Sequence, residues 1–240
     1  MKVTLFVQCL VDALLPEAAE GMVQVFKRLG IKVECPTEQT CCGQIAFNSG
    51  YRKEARIAAG RFIRIFEHAE AVVAPSGSCV HMVRRYYPEL FADDPKQLDR
   101  AKRLSEKTFE FSQFLVDVIG IEDVGASYKG KVTYHDSCHL LRGLRIKDQP
   151  RRLIKKVRGV EMIEMKDPDR CCGFGGAFSV KYGAISTAVL EEKVAQIIES
   201  GADTVVGCDP GCLINMEGMI RRKGLPIKTL HIAELLGRHA

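Results

Sequence analysis

The chain has 240 residues, of which 46% are hydrophobic and 27% charged, with a formal net charge of +5. That is long enough for one large core or two small ones. The balance is ordinary for a soluble protein; the mild basic excess does not call for a nucleic acid, and no apolar run approaches the ~18 residues of a membrane span.

In chain order, the N-terminal "MKVTLFVQCLVDALL" carries a β-branched run, "VTLFV", that predicts a buried strand. Gln8 and Asp12 interrupt its apolar stretch, so it does not read as a signal peptide. "PEAAEGMVQVFKRLG" predicts a helix, with Pro16 near its start and Gly30 as its stop. "IKVE" predicts a second strand. "YRKEARIAAGRFIRIFEHAE" predicts a helix whose apolar side includes Ile57, Ile63 and Phe66. "AVVAP" predicts a third strand, with a helix after Cys79. The second half repeats the series as "KVTYH", "PRRLIKKVRG", "VEMIEM", "GAISTAVLEEKVAQIIESG", "DTVVG" and a helix after Cys212. A short fourth strand at "LPIKTL" and a last helix, "IAELLG", close the chain. Short strands alternating with helices predict parallel βαβ units and an α/β, Rossmann-like architecture.

The chain is written twice. "KVTLFVQC" resembles "KVTYHDSC", and "TCCGQIAF" resembles "RCCGFGGAF". "AVVAPSGSCVHMVRR" resembles "TVVGCDPGCLINMEGMIRR", and "KTFEFSQFL" resembles "KTLHIAELL". Four matches in one order predict an internal duplication. The join is placed near "EDVGASYKG", giving repeats 1–125 and 126–240.

The ten cysteines dominate the functional reading. The expected compartment is the cytoplasm, and there such residues are metal ligands or redox groups rather than structural disulfides. Cys9, Cys41, Cys42 and Cys79 follow successive strands of the first copy; Cys138, Cys171, Cys172, Cys208 and Cys212 do so in the second. All nine are therefore expected at the carboxyl rim of parallel sheets, where ligands bind in open α/β folds. Helices starting there favour anionic ligands and are expected to lower thiol pKa. Gly43, Gly77, Gly173, Gly175, Gly176 and Gly211 are candidates for letting the backbone approach a bound group. Two adjacent thiolates suit a target with several metal atoms, and iron–sulfur clusters are such targets. The ferredoxin run C-x2-C-x2-C is absent, so a cluster would be assembled from separate loops. Structural zinc and a metal-free dithiol are the alternatives.

The doubled pattern Cys, Cys-Cys-Gly, Cys, with "YHDSCHL" and "DPGC", resembles the cysteine-rich CCG-domain family. That family includes the B subunit of heterodisulfide reductase and the iron–sulfur subunit of glycolate oxidase. The resemblance, which is to the two-copy chains of lactate utilisation, implies an iron–sulfur electron-transfer subunit of a system oxidising L-lactate to pyruvate. Its partners would be other lactate-utilisation proteins, both iron–sulfur and accessory subunits. It implies [4Fe–4S] clusters, cubane or noncubane, with the five-cysteine second repeat as the principal site. The last pair here is spaced C-x3-C rather than the B subunit's C-x2-C, and Pro75 stands opposite Cys208. Two rival readings are a catalytic thiol–disulfide reductase and a zinc-stabilised scaffold without redox activity.

Other features have plainer readings beside functional ones. Cys35 precedes Pro36, lacks a counterpart and reads as a buried small hydrophobe. His135 and His139 flank Cys138 and could ligate metal, bond a cluster sulfur or simply be satisfied by backbone. Asp136 could cap the loop. The basic stretch 142–159 is a solvated helix face or a docking surface for an acidic redox partner. Arg84, Arg85, Arg221 and Arg222 could offset cluster charge or be solvated. "GFGGAF" lacks the third glycine of a dinucleotide fingerprint, so any hydride acceptor belongs to a partner.

Overall fold

A computed structural model describes residues 1–239. Four short strands form the first sheet: β1 (Lys2–Leu5), β2 (Lys32–Glu34), β3 (Ala71–Ala74) and β4 (Thr108–Glu110). Their order is β2-β1-β3-β4, and every pairing is parallel. The second sheet holds β5 (Ser127–His135), β6 (Arg158–Met162), β7 (Thr204–Gly207) and β8 (Lys228–His231). Its order is β6-β5-β7-β8, again all parallel. The duplicated α/β architecture expected from the sequence is therefore present, with the same topology in each half. Among the described residues, no helix is long and apolar enough to cross a membrane.

The two halves share one core. Val3, Leu5, Phe26 and Phe114 from the first pack in one cluster with Val132, Tyr134, Leu153 and Leu236 from the second. The helix Pro16–Arg28 of the first half packs on the last helix, Ile232–Gly237. The approach is close because Gly21 has no side chain: a Cβ there would lie 2.2 Å from the Ala233 carbonyl oxygen. Arg28 reaches over the same contact and donates to the carbonyls of Val124 at 2.6 Å and Gly237 at 2.8 Å. The reciprocal contact joins the helix Asp148–Lys155 to the segment Phe111–Gln113. Each half thus lays its first long helix against the other's last element, as in a pseudo-twofold dimer written in one chain. Two smaller apolar clusters flank this shared core, one around Phe62 and Cys42, the other around Val194 and Cys172.

Three features depart from the sequence reading. The strand β4 was not expected, because "TFE" is too short to show alternation. A helix, Pro95–Glu106, is inserted before it in the first half only; Asp94 caps it by accepting from the Gln97 N–H at 3.1 Å. Ile57 lies on the solvent side of the helix Arg52–Phe66, 74% exposed. The buried face is Ala55, Ala59, Phe62, Ile63 and Phe66, whose small alanines let the helix approach the Cys-Cys-Gly loop.

Candidate metal centre

The strand ends carry the cysteines to one place. Cys9 opens the helix Cys9–Leu14 after β1, and Cys79 lies in the helix Gly77–His81 after β3. Cys41 and Cys42 occupy the loop before the helix Gln44–Asn48. In the second half Cys138 precedes a π-helical turn, His139–Gly143, and Cys212 lies in the first turn of the helix Pro210–Arg222. Cys171 and Cys172 precede the glycine-rich loop. These eight cysteines line one cleft between the halves, together with Gln8, Ile45, Asn48, Ser137, His139, Phe174 and Asp209.

The Cys-Cys-Gly loops are built alike. Gly43 and Gly173 have φ of 83° and 80°, a left-handed conformation that favours glycine. A Cβ on Gly173 would also lie 2.5 Å from the Ser186 carbonyl oxygen. Their amides donate to the first sulfur of each pair, Gly43 to Cys41 and Gly173 to Cys171, both at 3.3 Å. Gly175 and Gly176 line the cleft directly. Gly77 and Gly211 serve packing instead, against Leu140 and the Phe174 ring.

The sulfurs form two groups. In the first, the Cys9, Cys41 and Cys42 thiols interact in series, and the Cys42 and Cys79 sulfurs lie 3.3 Å apart. In the second, the Cys172 thiol interacts with those of Cys171 and Cys212, its sulfur within 4.8 Å of the Cys212 sulfur, and Cys138 is close enough to feel the Cys171 charge. All ten cysteines are unbridged. Helix N-termini do not lower the thiol pKa values as expected. Hydrogen bonding to Cys41 and burial push Cys9 up, and burial pushes Cys138 up. Cys171 is raised by its bond to Cys172 and by burial. Crowding and desolvation outweigh the dipole of short helices. Cys41 is the exception: hydrogen bonds from Cys42 and Cys9, with the Gly43 amide, hold it far below the usual thiol range.

Two cysteines lie elsewhere. Cys208 follows β7 and points into the shared core, where the Tyr134 hydroxyl donates to its sulfur at 3.2 Å. Cys212, in the helix that follows, faces the flanking cluster instead. Cys35 is exposed rather than buried, and its sulfur accepts from Gln39 at 3.2 Å. It follows an edge strand, β2, whose Lys32 and Glu34 side chains are exposed.

His135 is fully buried at the end of β5, and neither ring nitrogen has a hydrogen-bond partner among the described residues. Burial holds its pKa down, to about 3, so the ring is neutral. One of its nitrogens, the Cys172 sulfur and the Cys212 sulfur all lie within 4.8 Å of one another. Asp136 does not cap the loop; it takes a two-point ion pair from Arg151 at 2.8 and 2.9 Å. Much of the basic stretch is likewise spent on internal pairs, Arg152 with Glu122 and Arg142 with Asp169. Lys193, also buried, was missed in the sequence. Its ammonium donates to the Asp167 carbonyl at 2.8 Å, and burial lowers its pKa to about 8. The signal was available: the buried face 55, 59, 62, 63, 66 recurs as 186, 190, 193, 194, 197, with Lys193 where Phe62 stands.

A donor set of clustered thiols with one orphaned imidazole fits a thiophilic metal or an iron–sulfur group. Loading would displace the thiol protons and relieve the crowding.

A sheet rim bearing paired Cys-Cys-Gly loops defines the class. The family described as "Cysteine-rich domain" (CCG) matches residues 3–84 and 132–217, and the chain belongs to that family. It is 51% identical over 236 residues to "Lactate utilization protein A" of Geobacillus kaustophilus, covering 98% of each chain. It is 47% identical to the protein of the same name in Bacillus subtilis, covering 98% of this chain and 99% of that one. Among solved structures it is similar to a hypothetical protein from Helicobacter pylori, with a TM-score of 0.64 at 9% identity. That match covers all of this chain and 49% of the other, and speaks for the fold alone.

Proposed function

We propose that this protein is a cytoplasmic iron–sulfur electron-transfer subunit of a lactate-utilising system, working with other iron–sulfur and accessory subunits. The observation that carries the reading is the convergence of eight cysteines, four per repeat, on one cleft. The near full-length similarity to proteins named for lactate utilisation supports the pathway. Cys9, Cys41, Cys42 and Cys79 would hold the first group; Cys138, Cys171, Cys172 and Cys212 the second. Cys208 stays in the core on this reading. Bound iron–sulfur clusters supply one-electron chemistry, so the hydride of lactate goes to a cofactor on a partner. The chain's own residues hold the sulfurs at fixed spacing. The Gly43 and Gly173 amides donate to sulfur, and such bonds tune reduction potential.

The test is iron and acid-labile sulfide content with EPR on anaerobically purified protein, followed by lactate oxidation with and without the partner proteins. Iron, sulfide and partner-dependent oxidation support the proposal. Zinc without sulfide would select the scaffold reading. The apolar residues Ile45 and Phe174 beside the sulfurs favour one second reading, reduction of a small disulfide in the cleft. Disulfide turnover by the isolated protein with an artificial electron donor would select it.

A further inference from the structure

The two sulfur groups stand on different floors. In the first repeat Phe6 ends the run "KVTLF" and meets Phe62 edge-on, with ring centroids 4.7 Å apart at 88°. In the second repeat the run is "KVTYH", so His135 replaces Phe6. The recurrence of the buried helix face replaces Phe62 with Lys193. A dry aromatic pair has become a buried imidazole and a buried ammonium, close enough to influence each other electrostatically. Burying polar groups is unfavourable unless they find partners. Lys193 has partners, in the carbonyls of Asp167 and Pro168. His135 has none.

What His135 has is sulfur. Its ring lies beside Cys172 and Cys212, with the three donor atoms inside a 4.8 Å sphere of mutual distance. Donor atoms on one tetrahedral metal lie roughly 3.5–4 Å apart, given bond lengths of about 2.0–2.3 Å. A small inward movement of side chains closes that gap.

We propose that His135 is a nitrogen ligand of the second-repeat metal centre, alongside Cys172 and Cys212. The first centre is then all-thiolate and the second mixed. This rests on the iron–sulfur reading above. Imidazole ligation raises the potential of an iron–sulfur centre above that of a thiolate-only one, so the second centre is the higher-potential member of the pair.

The experiment uses the full chain, anaerobically reconstituted, with 15N introduced only at histidine. Pulsed EPR of the reduced protein is expected to show a strong coupling that responds to the label. The coupling should vanish in His135→Gln and persist in His139→Gln, which controls for the ring 3.7 Å from Cys138. His135→Cys, which offers a thiolate instead, is expected to keep iron and sulfide while lowering the potential of one centre. Iron and sulfide without any histidine coupling in the unsubstituted protein, or a coupling that follows His139, would overturn the assignment and leave the iron–sulfur reading standing. Absence of iron and sulfide would overturn both. The labelled unsubstituted protein supplies the deciding signal even if His135→Gln does not fold.

Discussion

The first and second repeats keep the same rim and differ in what lies beneath it. Strand order, the left-handed glycine after each cysteine pair and its amide-to-sulfur bond are retained. Under the first rim lie Phe6, Phe62 and Phe66, with Phe6 edge-on to both of the others. Under the second lie His135 and Lys193. A buried Phe cluster is a stability device, whereas a buried imidazole facing two thiols costs free energy until something binds it. The two repeats therefore share the geometry that gathers sulfur and differ in the chemistry of the floor beneath it.

The largest effects should come from the sulfurs. Cys42→Ser and Cys172→Ser are each expected to abolish one centre and lower iron and sulfide by about half, with different EPR signals lost in the two variants. Cys208→Ser and Cys35→Ser should leave both signals, since neither sulfur reaches the cleft. Loss of the same signal in Cys208→Ser as in Cys172→Ser would refute the four-plus-four division. Next is Asp136→Ala. It removes the buried partner of the Arg151 guanidinium, a carboxylate 2% exposed, and leaves Arg151 with Glu164 at 2.6 Å, so the loss should stay below about 3–5 kcal/mol, the cost of a buried charge left wholly unpaired. Urea unfolding measures this. The position corresponds to Val7 in the first repeat, so the second repeat's cysteine loop is held by charge and the first repeat's is not.

The strands and the rim were legible because β-branched runs recur in order and the duplication doubles every signal. The fate of Cys208 was not. The spacing Cys208–Asp209–Pro210–Gly211–Cys212 suggests a ligand pair, yet a strand ends just before the first residue and a helix begins within the segment. The corner sends one side chain into the shared core and the other toward the cleft. Lys193 was hidden for a related reason. A lysine in a helix reads as solvated until its helix is aligned with its copy, and only then does it fall on the buried face. The reciprocal helix packing about Gly21 was equally silent, since one glycine in a helical run reveals no crossing partner.

A third difference lies where the last strand of each repeat ends. Glu110 and His231 hold matching positions in "KTFE" and "KTLH", and both are fully buried. Burial pushes Glu110 up to about 7, while the Ser112 and Gln113 amides bond its carboxyl group. Its folded pKa is raised, so its contribution is fully present below about 4.5 and is lost as pH rises through about 7, by about 3 kcal/mol. His231 is depressed to about 4 by burial, so its contribution is present above 6.5 and is lost as pH falls toward 4. The two slopes oppose each other in the same window. Glu110→Gln should unmask the histidine, making stability rise steadily from pH 4 to 7 in urea titrations. An unchanged profile would show that Glu110 does not titrate there.

The smallest expected effect concerns how each cysteine pair is tied down. The Cys42 carbonyl accepts from the Tyr87 hydroxyl at 2.9 Å, and the Cys172 carbonyl accepts from the Asn215 amide at 2.8 Å. Different residues do the same job, but in different surroundings. Tyr87 is completely buried, so Tyr87→Phe leaves a carbonyl that water cannot reach, and about 1–2 kcal/mol should be lost. Asn215 is partly exposed, so water can replace its amide in Asn215→Ala, and the loss should be about 0.5 kcal/mol. Equal losses in thermal or urea unfolding would mean that the second loop is as dry as the first. The chemical contrast between the two floors would then not extend to their access to solvent.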